Sequence, residues 1–179
     1  MAKNCEDLII RQSKLSDRDI VKDLVNAVFK KHSGHLWARG KDRLNDENFQ
    51  CHHDKNELFI AEKDGNIIGC VTASYEGEDA LKVGMLAVRE DFQKQGVGRQ
   101  LMEHTTQLAL RTNTCKRMLV KTVYLTHKPD PWNKTIIPRF YHKLGYKLIE
   151  TVDLVEKWPT CKDMVADDVT LCTHEKRIQ

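Results

Sequence analysis

An α+β domain, with helices flanking a mixed and mostly antiparallel sheet, is the fold class the sequence predicts, on three observations. Three strand-like runs follow one another between residues 57 and 88 with no room for a helix between them. A single strand–helix–strand pattern then spans residues 80–125. Two further strand-like runs, "YKLIETVDLVE" and "DVTLCTHEKRI", close the chain. Runs of strands around one crossover helix make an α+β or mixed-sheet architecture.

Each element has its own warrant. "LIIRQ" is the first strand, and the helix after it is expected to start with Ser16 as cap and Asp17 and Asp19 at its positive end. Ile20, Leu24, Ala27 and Val28 recur at three- and four-residue steps, which predicts the buried face of that helix. A basic connector, "KKHSGHLWARGKDR", leads to a short second helix near Leu44 to Phe49. "ELFIAEKDGNIIGCVTASYEG" holds two alternating apolar runs around Asp64-Gly65, a hairpin turn signal. "ALKVGMLAV" is the fourth strand. A helix from about Val97 to Arg111 follows, with Val97, Leu101, Thr105 and Leu108 as its stripe, and "RMLVKTVYL" is the fifth strand. "THKPDPWNKTIIP" is expected to be a loop, and "RFYHKLG" a short helix closed by Gly145.

The bulk numbers exclude several classes. With 179 residues, one domain over 1–179 is expected. Hydrophobic residues are 40% and charged residues 31%, an ordinary soluble composition. There is no 18-residue apolar run for a membrane span. "MAKNCEDLII" has neither the apolar core of a secretory signal nor the acid-free character of a presequence, so a cytoplasmic protein is expected. A net charge of +3 falls short of the basic stripe of a dedicated nucleic-acid binder. The six cysteines contain no C-x-x-C pair and read as free thiols, with Cys70 and Cys172 as small strand hydrophobes.

The chemistry concentrates in "DFQKQGVGRQLM", Asp91 to Met102. Glycines at 96 and 98, at the start of a helix, let the backbone wrap closely around an anion that unpaired amides and the helix dipole attract. Lys94 and Arg99 add positive charge. A P-loop needs G-x-x-x-x-G-K-[ST], which is absent. A dinucleotide fold needs a third glycine where Leu101 stands, and three antiparallel-looking strands precede the loop.

"LAVREDFQKQGVGRQLM" resembles the acetyl-CoA signature of the GNAT superfamily of N-acetyltransferases, with Val88 ending the strand and Gln93, Gly96 and Gly98 in the [RQ]-x-x-G-x-[GA] positions. "RFYHKLGYKLIE" resembles the family's second landmark, an aromatic-Tyr-x-x-x-Gly-aromatic turn. The resemblance covers roughly Leu8 to Ile178. It implies acetyl-CoA as cosubstrate, with the diphosphate held by the loop Gln93, Lys94, Gln95, Gly96, Val97, Gly98 and Arg99. It also implies a bulge near Gly84 that frees the backbone from Met85 to Val88 for the pantetheine arm, with Leu86, Ala87 and Val88 as cofactor contacts. The Leu86 amide would face the thioester carbonyl as an oxyanion donor. Tyr141 would hydrogen-bond the sulfur and act as general acid. The family's asparagine seven residues before that tyrosine falls on Lys134, one step from Asn133, which is carried as a cofactor contact. Phe140 and Tyr146 are expected in the core.

Two departures from the family pattern stand out, the larger at the general base. The early fourth strand has Lys82, Val83 and Gly84 where some members carry a glutamate, which leaves Glu76, Glu78 and Asp79 to act through water. Glu90 stands where proline is common. No metal is expected: Cys51-His52-His53 with Asp54 lacks a second ligand pair and reads as a surface turn. His142 reads as a helix-surface residue. The segment holding Lys30, Lys31, His32, His35, Trp37, Arg39, Lys41 and Arg43, with Trp132, is where the acceptor cleft is sought. The expected activity is direct acetyl transfer in a ternary complex to a small-molecule, peptide or protein amine. The alternative is an acyl-CoA-binding sensor or scaffold with little catalysis. An RNA-contacting protein, with steeply salt-dependent binding, is a third reading. A homodimer through the C-terminal strands is a further expectation.

Overall fold

A computed structural model describes residues 8–37 and 42–178. Seven strands form one sheet: β1 (Ile9–Gln12), β2 (Leu58–Lys63), β3 (Asn66–Glu76), β4 (Ala80–Val88), β5 (Arg117–Leu125), β6 (Lys147–Asp153) and β7 (Val169–Arg177). Their order is β1-β2-β3-β4-β5-β7-β6, and every neighbouring pair is antiparallel except β4 with β5. A parallel pair needs a crossover, and helix α3 (Val97–Leu110) supplies it. The β2–β3 hairpin turns on Asp64 and Gly65 with φ of 50° and 73°, the two left-handed residues of a tight two-residue turn.

The helices cover both faces of the sheet. On one, Val21, Leu24 and Val25 of α1 (Arg18–Ser33) and Phe49 of α2 (Asp46–Asp54) pack on Leu58, Ile60, Cys70, Met85 and Ala87. On the other, Val97, Leu101 and Met102 of α3 and Tyr141 of α4 (Ile137–Lys143) pack on Ile68, Val71, Leu81, Val83, Met118 and Val120. Gly69 lets α3 approach: a Cβ there would lie 3.0 Å from the Ala87 carbonyl oxygen and 3.2 Å from Leu101.

Several expectations need correction. Ser16 does not cap α1; a single 3-10 turn, Leu15–Asp17, precedes the helix, and Asp17 instead binds Arg11 at 2.8 Å and the Lys14 amide at 2.7 Å. The buried face of α1 is set by the β-branched Val21 and Val25 with Leu24, while Ile20 and Ala27 are exposed. The second helix starts at Asp46, capped by the Asn45 side chain, and carries Cys51-His52-His53 in its last turn rather than in a surface turn. There His52 pairs with Glu57 at 2.8 Å and His53 with Ser13 at 3.1 Å, and no metal-holding group occurs among the described residues. The proline-bearing loop is helical from Trp132: a π-helical turn, Trp132–Ile136, runs directly into α4. The end of "YKLIETVDLVE" turns into a short helix, α5 (Leu154–Lys157), because the Asp153 carboxylate accepts from the Val155 and Glu156 amides. Arg39 and Lys41 of the basic connector lie outside the described residues.

Candidate active site

The parallel seam between β4 and β5 is short. It pairs Ala80 with Arg117 through Val83 with Val120 and then stops, so residues 84–88 and 121–125 part. The cause lies in β4, where the register against β3 slips by one residue between Gly84 and Ala87. Met85, with φ of 43°, is the extra residue; the bulge expected at Gly84 has its left-handed residue one position later. Side chains record the slip. Leu81 and Val83 join the core under α3, whereas beyond the bulge Leu86 and Val88 face that side and Met85 and Ala87 face α1. The Arg89 amide donates to Ile68 on β3 at 2.8 Å, so by alternation the amides of Leu86 and Val88 turn into the gap.

At the open end of the gap the loop curls through two left-handed residues, Lys94 (φ 59°) and Gly96 (φ 90°), and α3 begins with Gly96 as N-cap and no side-chain cap. The first amides of α3 therefore face outward, an anion-binding concavity of backbone donors at the positive end of a helix. Space around Gly96 is open, so its glycine is required by backbone angle rather than by crowding. A Cβ on Gly98 would meet Phe140, Val88 and Leu86 at 3.6–4.0 Å, ordinary contact. The Gln93 side chain donates to the Val88 carbonyl at 2.9 Å, pinning the loop to the strand end. Gln95 donates to the Asp91 carbonyl at 2.6 Å, and Arg99 pairs with Glu103 at 2.8 Å. A donor set of backbone amides with nearby cations fits the diphosphate of coenzyme A.

Tyr141 projects from α4, which ends in a Schellman motif: Gly145 has φ of 90°, the Tyr146 amide donates to Tyr141 and the Gly145 amide to His142. That closure puts Tyr141 edge-on to Phe140 and Tyr146 and 6.2 Å from the His174 ring. Among the described residues its hydroxyl has no hydrogen-bond partner, and burial pushes its pKa up, so the proton stays on until a stronger base arrives. Behind it His174 of β7 and Thr122 of β5 share a hydrogen bond of 3.0 Å, and burial holds His174 below its ordinary pKa.

A polar lock joins the far lip of the gap to α1. Burial alone would raise the Asp130 carboxyl. The Asn133 amide, His35 (3.3 Å), the Asn133 side chain (2.9 Å) and the Leu125 amide together hold it below the usual range. Asn133 also donates to the His32 carbonyl at 3.0 Å and accepts from Ser33 at 3.4 Å. Its amide is thus committed to the lock. The lock presses Trp132 flat on His32, with ring centroids 3.8 Å apart.

The carboxylates considered as bases sit at the other end of β4. Glu76 opposes Ala80 and binds Lys121 at 3.1 Å with Lys82 at 3.8 Å; Asp79 binds Arg117 at 3.2 Å. Sequence reasoning missed Asp130, Thr122 and His174 as parts of the site. The dipeptide before Pro131 was a weak sign of the first, and nothing local marks a strand threonine or histidine.

Comparison with known proteins agrees with this geometry. The model of the "Acetyltransferase (GNAT) domain" matches residues 54–148. An uncharacterized N-acetyltransferase of Chlorobaculum tepidum is 26% identical over 120 residues, 64% of this chain and 68% of that protein. The yncA structure from Salmonella typhimurium, solved with its cofactor acetyl-CoA, superposes with a TM-score of 0.70 at 16% identity, covering 97% of this chain and 95% of that one. N-acetylglutamate synthase of Neisseria gonorrhoeae, solved with coenzyme A and N-acetyl-glutamate, gives a TM-score of 0.65 at 18% identity over 96% of this chain, which spans 35% of that larger protein.

Proposed function

Since the chain belongs to the GNAT acetyltransferase family, with acetyl-CoA as the family's cosubstrate, we propose that it moves the acetyl group to a primary amine by direct attack within a ternary complex. The observation that carries this reading is the gap between β4 and β5, bulged open at Met85 and ending at the uncapped start of α3. Acetyl-CoA supplies an activated acyl carbon as a thioester. The amides of the 93–98 loop bind its diphosphate, and the strand edge at Leu86 and Val88 offers the donors a pantetheine amide needs. The Leu86 amide meets the oxygen on which negative charge develops. Tyr141, kept protonated by its burial, delivers a proton to the departing sulfur. The buried Cys70 thiol takes no part: desolvation pushes it up to about 12, far from a thiolate at neutral pH.

A binding module with little catalysis is the second reading, favoured by the engagement of Glu76 and Asp79 in ion pairs away from the gap. Calorimetric titration with acetyl-CoA separates the two together with an amine screen. Gly96→Val should weaken acetyl-CoA at least tenfold, because a β-branched residue is strained at φ of 90°. Affinity unchanged by that substitution would remove the loop from the donor site, and binding without turnover of any amine would favour the module.

A further inference from the structure

Of the stripe Ile20, Leu24, Ala27 and Val28, which sequence periodicity assigns to the core, Ile20 and Ala27 are exposed, while Leu24 and Val28 border the buried face of α1 set by Val21 and Val25. Together with Ile67, Lys31, His32, Arg89, Glu90 and Gln93 the stripe lines a groove of about 360 Å³. The groove follows α1 from its first turn to its last, about 18 Å at the helical rise. Its far end adjoins the site: Gln93 holds the Val88 carbonyl at the mouth of the gap, and His32 stacks on Trp132 from the opposite lip. We propose that His32 is the general base of the transfer and that the groove leading to it binds an acceptor amine carried on an apolar body.

The proposal deepens the acetyltransferase reading and rests on it. The wall is aliphatic, and the charges at its rim are already paired, Lys31 with Glu90 and Arg89 with Asp91. A charged acceptor body therefore gains no partner there, whereas an alkyl or aromatic one buries apolar surface. Neither ring nitrogen of His32 has a hydrogen-bond partner among the described residues. The half-buried ring is held below its ordinary 6.5 by desolvation first and by Lys31 second, with Glu90 opposing. The other groups around it are the uncharged Trp132 and Gln93, the paired Arg89, and the Asp130–His35 pair behind the lock.

The proton count closes. The ammonium, with an ordinary pKa of about 10.4, gives one proton to neutral His32. The freed nitrogen forms the C–N bond to the acyl carbon, and the C–S bond breaks with its electron pair on sulfur. Tyr141 protonates the sulfur and is restored by the second amine proton, while His32 releases its proton to water.

The test compares wild type, His32→Gln and Ala27→Trp by acetyl-CoA titration and by kcat/KM from pH 5 to 9, with hexylamine, putrescine and ethanolamine as acceptors. Hexylamine should be preferred at least tenfold. His32→Gln should leave acetyl-CoA affinity unchanged, lower kcat/KM about 100-fold at pH 7 and abolish the acid limb below pH 6.5. Ala27→Trp should raise the hexylamine KM and leave acetyl-CoA affinity alone. A His32→Gln enzyme that keeps the rate and the acid limb, or a wild type that prefers ethanolamine or putrescine, overturns the inference. Acetyl-CoA binding with no acetylation of hexylamine overturns it as well. A wild type that neither binds acetyl-CoA nor acetylates any of the three amines overturns the acetyltransferase assignment beneath it.

Discussion

Gly69 and Gly96 are both glycines, yet different physics requires each. At Gly96 the backbone angle demands it; at Gly69 the neighbours do, with the Ala87 carbonyl 3.0 Å and the Val97 side chain 3.4 Å from where a Cβ would stand. Gly69→Ala should therefore cost about 1–3 kcal/mol, the usual range for overpacking, read as a lower urea midpoint. Tyr141 makes the complementary case, because its hydroxyl has no structural partner among the described residues. Tyr141→Phe should preserve the fold and acetyl-CoA affinity while reducing kcat about 100-fold, as loss of a general acid does. An equal loss of affinity and rate would make the hydroxyl a binding group instead. At this scale the sequence was most legible where a motif imposed a backbone need, as at Gly96 and Gly145. It was opaque where the candidate site is built from partners far along the chain. His32 meets Trp132 a hundred residues away, and His174 meets Thr122 across a strand pair; neither contact leaves a local pattern.

The strands came through clearly because alternation and β-branched content coincide: β4 and β5 have the expected bounds. Helix α1 was misread because two apolar stripes lie one residue apart, Ile20-Leu24-Ala27-Val28 and Val21-Leu24-Val25-Val28. Periodicity cannot choose between them; contact with the sheet does. The helical turn at Trp132–Ile136 was hidden by its prolines, which read as breakers; Pro131 is the N-cap of that turn, where no amide is needed, and Pro138 directly follows the π-turn at the second position of α4. That turn is held by Asp130, 4% exposed and serving several donors at once. Asp130→Ala should cost about 3 kcal/mol, since buried donors left without partners cost about 1–3 kcal/mol each. It should also raise the acceptor KM as Trp132 leaves His32, while acetyl-CoA affinity changes little. Urea unfolding and initial rates on the same preparation check both parts.

For the molecule as a whole, acid sensitivity divides into two windows. Burial holds His32, His104 and His174 below their ordinary 6.5. In the unfolded chain they take up protons on falling below about pH 6.5, while the native state resists, so native stability declines with pH there. Asp17 and Asp130 are held below 3.8, and their contribution persists until pH falls beneath that value. Thermal unfolding should show a first loss of melting temperature between pH 6.5 and 5. A His104→Gln, His174→Gln double variant should flatten that step and leave the loss below pH 4 intact. A single transition confined below pH 4 in the wild type would remove the histidines from the account.

Four rungs, Ala80 to Val83 against Arg117 to Val120, zip the two halves of the sheet together along their shared edge, with the Asp79–Arg117 and Glu76–Lys121 ion pairs at the closed end. Four strands form one leaf and three the other, with the stacked rings of His32 and Trp132 as a clasp on the open side. On the proposed reading, acetyl-CoA lying between the leaves replaces the missing rungs, so the same atoms that present it for reaction also brace the frame that holds it. On that reading occupancy and rigidity are one property of the molecule, and product departure loosens both at once.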